Sequence, residues 1–219
     1  MSDDALAPIV YIIEDDDEHR RALSELMESA GLTVESCSKP SESFELIDKD
    51  RPGCVILDIR LPEVSGLSLI DRYAPLPIVV VTGFGDVQVA VRCLKKGVAE
   101  FLEKPVHHQL MIDTVQRLTQ ISVEKCHADR IARQLRARVA SLSQRQVQVI
   151  SQALLGASNK EIGVNIGLSP RTIEKHKQAA REKLGDLTEF PLSLVLKELS
   201  LLLGEEPVAS PTSMGRFTH

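Results

Sequence analysis

The stretch IVYIIEDDDEHR, residues 9–20, sets five acidic side chains in a row directly behind an apolar run. The run lacks the polar alternation of a half-exposed strand, so it reads as a strand buried on both faces, as in a parallel sheet covered by helices. Glu14, Asp15, Asp16, Asp17 and Glu18 then repel one another, where a turn that only had to be polar would use Ser, Asn or Gly. Clustered carboxylates at a strand's carboxyl end need a reason, because open α/β sheets bind ligands at that edge. Part of the reason lies in the following helix. Asp16, Asp17 and Glu18 fit its start, one capping free N–H groups and the others favouring the dipole.

The same pattern repeats through the first half. Apolar runs at 9–13, 32–36, 54–57, 77–81 and 99–102 alternate with helical patterns at about 18–29, 41–48, 65–72, 86–96 and 107–120. Leu23, Leu26, Met27 and Ala30 make one apolar face of the first helix. Five strands alternating with five helices predict an α/β fold, a doubly wound five-stranded parallel sheet. Near residue 122 the pattern changes. An Arg-rich stretch, 123–140, keeps Ile131, Leu135 and Val139 four apart and reads as a helical linker with solvated charges. Short helices follow at about 143–155, 159–166, 170–184 and 191–203, making an all-α domain over 141–203 after a first domain over 1–122. The end, 204–219, is rich in Pro, Ser and Gly and reads as a disordered tail.

Length and composition agree with two modules. The chain has 219 residues, 43% hydrophobic but only 3% aromatic and without Trp, so its cores are aliphatic. MSDDALAP at the start is acidic and lacks the apolar segment of a signal peptide. No window approaches the roughly 18 apolar residues of a membrane helix. Cys37, Cys54, Cys93 and Cys126 form no CxxC pair, which suits reduced thiols in a cytoplasmic protein. The net charge of −5 conceals an asymmetry. Residues 1–122 carry 12 Lys and Arg against 21 Asp and Glu, while residues 123–203 carry 13 against 8. The basic half is a candidate for nucleic acid.

In the acidic half, Glu14 and Asp15 end the first strand and Asp58, in VILDIRLPEVSG, ends the third. Neighbouring strands bring them together. Two like charges about 4 Å apart repel by roughly 4 kcal/mol at an effective dielectric near 20. Three carboxylates therefore call for a cation, and a small oxygen site that receives phosphate suits Mg²⁺. Thr82 and Lys104 end the fourth and fifth strands. A hydroxyl and an ammonium there are what an acyl phosphate on Asp58 requires for its oxygens. His107 and His108 have no third ligand nearby and are not read as a metal site.

The acidic pair, Asp58 with Pro62 and Gly66 after it, Thr82-Gly83 and Lys104-Pro105 together resemble the receiver domain of two-component response regulators over about residues 8–122. The resemblance implies a flavodoxin-like sheet in the order 2-1-3-4-5 and makes Asp58 the phosphoacceptor for a histidine kinase. It implies that Glu14, Asp15 and Asp58 hold Mg²⁺ with help from the Arg60 backbone carbonyl. It further makes Thr82 and Lys104 the phosphoryl contacts, with Thr82 and Phe101 as the switch pair. The family more often has Asp where Glu14 stands, and the longer arm should shift the metal slightly. The short segment between Asp71 and Ile78 points to a truncated third helix, and Lys104-Pro105 suits a cis peptide.

In the basic half, LSQRQVQVISQALLGASNKEIGVNIGLSPRTIEKHKQAAREKL, 142–184, reads as three helices joined by turns. Ser158 or Asn159 caps the second, Gly167 ends it, and Ser169 before Pro170 starts the third. Leu142-Ser143, Gly156, Ser158 to Ile162, Ser169, Thr172 and His176 resemble the LuxR-type helix-turn-helix, and the two halves together resemble the NarL/FixJ class of regulators. Gln146 replaces the family's usual Glu, which loosens an internal ion pair. GDLTEFP after Leu184 is poor in basic residues. Lys160, Arg171, Thr172, Lys177 and Arg181 are expected on DNA phosphates, with Lys175 and Gln178 facing base edges.

The expected function is a response regulator: phosphorylation of Asp58 promotes dimerisation through about 86–120 and sequence-specific binding of double-stranded DNA. RNA polymerase is a further candidate partner, and no membrane is expected. Two alternatives stand beside it. One is a Mg²⁺-dependent phosphatase with an Asp nucleophile, although DIRLP lacks a second acid two residues after Asp58. The other is a constitutive DNA-binding regulator with another input. No ATP-binding motif joins the modules, which argues against ATP-driven promoter opening.

Overall fold

The computed structural model describes residues 7–62, 65–83, 87–188 and 190–204. Five strands, β1 (Ile9–Ile13), β2 (Thr33–Cys37), β3 (Gly53–Leu57), β4 (Ile78–Thr82) and β5 (Glu100–Glu103), alternate with helices α1 (Asp17–Ser29), α2 (Pro40–Leu46), α3 (Gly66–Tyr73) and α4 (Val87–Lys95). All pairings are parallel, in the order β2-β1-β3-β4-β5. This is the flavodoxin-like arrangement, and the reversal of strand order falls between β1 and β3.

The apolar runs fill two layers because side chains alternate along a strand. Tyr11, Ile13, Val55, Leu57 and Val80 face α2, α3 and α4 through Ile47, Leu69, Tyr73 and Cys93. Val10, Ile12, Ile56, Val79 and Val81 face α1 and the start of α5 (His108–Ala140) through Met27, Met111, Val115 and Leu118. Every residue of β1, β3 and β4 is buried, as unalternated runs require. The third helix has eight residues and ends before a cis Ala74-Pro75 bond. The fourth begins at Val87, and residue 86 of the expected span lies outside the described residues.

Helix α5 runs unbroken from His108 to Ala140, so the helix expected at 107–120 and the linker expected at 123–140 form one element. The chain divides into two compact units at His127 and Ala128. The sequence of α5 contains no Pro or Gly. The linker's apolar positions are not solvated. Leu135 and Val139 are buried in the second unit's core with Val147, Ala180, Leu184 and Val195. That unit comprises the last part of α5 with α6 (Gln144–Leu154), α7 (Asn159–Ile166), α8 (Pro170–Leu184) and α9 (Leu192–Leu203). Residues 205–219 of the expected tail lie outside the described residues. Among the described residues, no helix is long and apolar enough to cross a membrane.

Candidate functional site

The carboxyl edge of the sheet gathers the acidic residues through strand pairing. Ile13 pairs with Leu57 in register, so the next residues, Glu14 and Asp58, are neighbours. The Asp58 backbone N–H donates to the Ile13 carbonyl at 3.0 Å. Glu14, Asp58 and Thr82 are buried while Asp15 is exposed. Thr82 pairs with Glu103, and the Lys104 N–H donates to the Thr82 carbonyl at 2.8 Å, placing Lys104 beside Thr82. The Lys104-Pro105 bond is cis. Behind Asp58 the chain must pass close to its own backbone. A Cβ on Gly66 would lie 2.6 Å from the Ile59 Cα and 2.9 Å from the Asp58 carbonyl oxygen, so only Gly fits.

Lys104 bridges the pocket. Its ammonium donates to Glu14 Oε2 at 2.6 Å and to Asp58 Oδ2 at 2.8 Å. The other Asp58 oxygen accepts the Arg60 backbone N–H at 2.8 Å. Burial raises the Glu14 pKa above the usual carboxylate value, and the Lys104 bond opposes that rise in part. Burial alone would lower the Lys104 pKa, yet its bonds to Asp58 and Glu14 hold it above its ordinary value. Ligand oxygens of Glu14, Asp15 and Asp58 all lie within 4.8 Å of one another. Three hard oxygen donors at that spacing fit a divalent cation such as Mg²⁺.

The remaining acids of the opening stretch are the cap. Asp16 accepts the N–H groups of Glu18 and His19, both at 2.9 Å, and these bonds lower its pKa. Sequence reasoning missed Arg20, whose guanidinium donates to the Glu14 carbonyl at 2.9 Å and pairs with Asp17. An Arg three residues after an acid on a helix was the available signal. Phe101 pairs with Val80 in register and is half-buried against the core shared with α2, α3 and α4.

In the second unit, Ser158 caps α7 and forms a reciprocal box with Glu161. Gly167 ends it at φ 72°, and Ser169 caps α8 just before Pro170. Ile173, Ala180 and Leu184 bury one face of α8. Arg171, Lys175 and Gln178, spaced i, i+4, i+7, line the opposite exposed face, flanked by exposed Arg181, and Lys160 is exposed on α7. Three expected contacts have partners within the unit, Gln178 among them through its amide, which donates to Glu182 Oε1 at 3.3 Å. Lys177 is half-buried and donates to Asn159 Oδ1 at 3.1 Å, and Thr172 shares a hydrogen bond with Ser169 at 2.8 Å. Asn159 also donates to Glu174 at 2.6 Å, so it ties α7 to α8 while Ser158 does the capping.

The departure at Gln146 has a visible consequence. Its Oε1 accepts the Ser143 N–H at 2.8 Å and the Lys183 ammonium at 3.1 Å, a charge–dipole contact where Glu would make an ion pair. Another pair went unread: Glu198, buried on α9, accepts from Arg136 of α5 at 2.9 Å. A lone acid inside the apolar LSLVLKELSLLL was its signal.

Comparison with known proteins finds a family for each half of the chain. Residues 10–116 match the response regulator receiver domain and residues 140–186 match the bacterial regulatory proteins of the luxR family. The transcriptional regulatory protein FixJ of Azorhizobium caulinodans is 35% identical over 212 residues, covering 93% of this chain and 97% of that one. The response regulator protein TodT of Pseudomonas putida is 32% identical, covering 81% and 80%. The solved structure of response regulator StyR superposes with a TM-score of 0.74 at 32% identity, covering 86% of this chain and 96% of that one. Such proteins are transcriptional regulators rather than an enzyme class. The chain belongs to the NarL/FixJ family of two-component response regulators, with a receiver domain and a LuxR-type DNA-binding domain acting on transcription.

Proposed function

We propose that Asp58 is the phosphoacceptor of this regulator and that its phosphorylation controls operator binding. The convergence of Glu14, Asp58, Thr82 and Lys104 at one sheet edge carries this reading. An Asp58 oxygen attacks the phosphorus of a phosphohistidine on the cognate kinase; the P–N bond breaks and an acyl phosphate remains on Asp58. Mg²⁺, held by Glu14, Asp15, Asp58 and the Arg60 carbonyl, would offset negative charge on the phosphoryl oxygens. Lys104 meets one of those oxygens and the Thr82 hydroxyl donates to another. As Thr82 moves toward the phosphoryl group, Phe101 turns into the vacated space and repacks the face over about 86–120.

That face supports a dimer. Val87, Val91 and Leu94 form an i, i+4, i+7 stripe on α4, exposed at 75%, 43% and 53%, and Leu110 on α5 is half exposed. Two linked reading heads would engage paired half-sites, multiplying a weak single-domain affinity. Lys160, Arg171, Thr172 and Arg181 position each head on phosphates, and Lys175 and Gln178 face bases. Lys177 would reach a phosphate only by leaving Asn159. A cytoplasmic location and contact with RNA polymerase follow from acting on promoter DNA.

The test is Asp58→Asn. With Mg²⁺ and a small-molecule phosphoryl donor, the wild type is expected to incorporate phosphate and shift from monomer to dimer by light scattering, and Asp58→Asn to do neither. Unchanged dimerisation of the variant would sink the assignment.

A further inference from the structure

The pocket already contains a cation. The Lys104 ammonium lies on Glu14 and Asp58, two of the three carboxylates close enough to share a metal ion. The side chains are 17%, 3% and 8% exposed for Lys104, Glu14 and Asp58, so water screens these pairs weakly. A divalent cation on the same carboxylates faces a competitor supplied by the protein. The longer arm at position 14 decides how strong that competitor is. An Asp there would withdraw its carboxylate by about 1.5 Å, one carbon–carbon bond, and leave Lys104 paired with Asp58 alone.

We propose that Glu14, beyond serving as a ligand, sets the divalent-cation affinity of the receiver through Lys104. This rests on the Mg²⁺ pocket proposed above. In the resting state Glu14 and Asp58 hold the ammonium between them as an internal counter-ion. Cation entry displaces Lys104 from both carboxylates and frees it to meet the incoming phosphoryl oxygens. Glu14 is thus a positioning residue for Lys104, and binding of Mg²⁺ is coupled to the freeing of that side chain.

Calorimetric titration of Mg²⁺ into the full chain tests this without any phosphoryl transfer, on the wild type, Glu14→Asp, Lys104→Met and the double variant. Lys104→Met is expected to tighten Mg²⁺ binding about tenfold and Glu14→Asp about threefold. Lys104→Met should gain less in the Glu14→Asp background than in the wild type, because one of its two pairs is already gone. Unchanged or weaker binding by Lys104→Met, or strictly additive gains, would overturn the proposal and leave the Mg²⁺ pocket standing. No binding by any variant or the wild type would overturn both. Should Lys104→Met fail to fold by circular dichroism, Glu14→Asp decides alone: tighter binding supports the proposal and equal or weaker binding defeats it.

Discussion

In the acidic pocket the charges answer one another. Lys104 spans Glu14 and Asp58, and the second Asp58 oxygen takes the Arg60 N–H, all within a largely buried edge of the sheet. Along α8 the arrangement is reversed: Arg171, Lys175 and Arg181 stand exposed opposite the buried Ile173, Ala180 and Leu184. On the proposed reading the pocket must hold its geometry before a small, highly charged group arrives, so its two buried carboxylates already share a counter-ion. On the same proposed reading the helix must exchange counter-ions for a long polyanion, so its charges face water. Among the basic side chains expected on DNA, Lys177 is the exception, being bonded to Asn159 in the manner of the pocket.

That exception can be tested where the largest effect is expected. On duplexes carrying sites recovered by genomic binding, Arg171→Ala with Lys175→Ala should weaken affinity by about 3 kcal/mol, roughly a hundredfold, and reduce the salt slope. Lys177→Ala should lose far less if its ammonium serves Asn159 rather than a phosphate. Fluorescence anisotropy across a salt series measures both. Equal losses would place Lys177 among the DNA contacts and remove it from the intramolecular clamp.

The two regions also differ in how much of them could be read beforehand. The sheet and its edge were legible because unalternated runs such as IVYII and VVV admit few roles, and because Asp58 and Thr82 each follow one directly. Caps were legible for the same local reason: Asp16, Ser158 and Ser169 act within three residues. What escaped depends on pairs far apart in sequence. Lys104 lies 90 positions from Glu14, and Arg136 lies 62 from Glu198. No periodicity announces such partners. The linker escaped differently. Its four-residue spacing of Ile131, Leu135 and Val139 was visible, but the Arg residues between them suggested solvent, and only the packed unit reveals a core for that stripe.

Gln146 allows the pocket's solution to be transplanted into the second module. Gln146→Glu keeps the acceptor that binds the Ser143 N–H and sets a full negative charge opposite Lys183. Position 146 is only 6% exposed, so a carboxylate there loses hydration as Glu14 does. Two donors, one of them charged, already face it, and charge-assisted bonds are roughly twice as strong as neutral ones. The expected net gain is about 0.5 kcal/mol, read as a higher urea midpoint with unchanged slope. A lower midpoint would mean that burial outweighs pairing here, and that Glu14 is tolerated because Lys104 serves it and Asp58 together.

The smallest effect separates two capping boxes of the same geometry. In α6, Ser143 and Gln146 exchange the reciprocal bonds; in α7, Ser158 and Glu161 do so. Only the second titrates. The bonds from Ser158 hold the Glu161 pKa below its ordinary value, so its charged form is favoured in the folded state. A lowered carboxylate pKa contributes stability that is present above the unfolded value and lost as pH falls through the folded one. Glu161→Gln imitates the protonated box. It should therefore melt slightly below the wild type at pH 7 and together with it near pH 3. Gln146→Ala, which removes the box of α6, should show a deficit that does not change over that range, because neither partner there carries a proton to lose. Thermal melts across the pH series compare the two. A Glu161→Gln deficit persisting unchanged into acid would show that the geometry of the amide, rather than the charge of the carboxylate, separates it from the wild type.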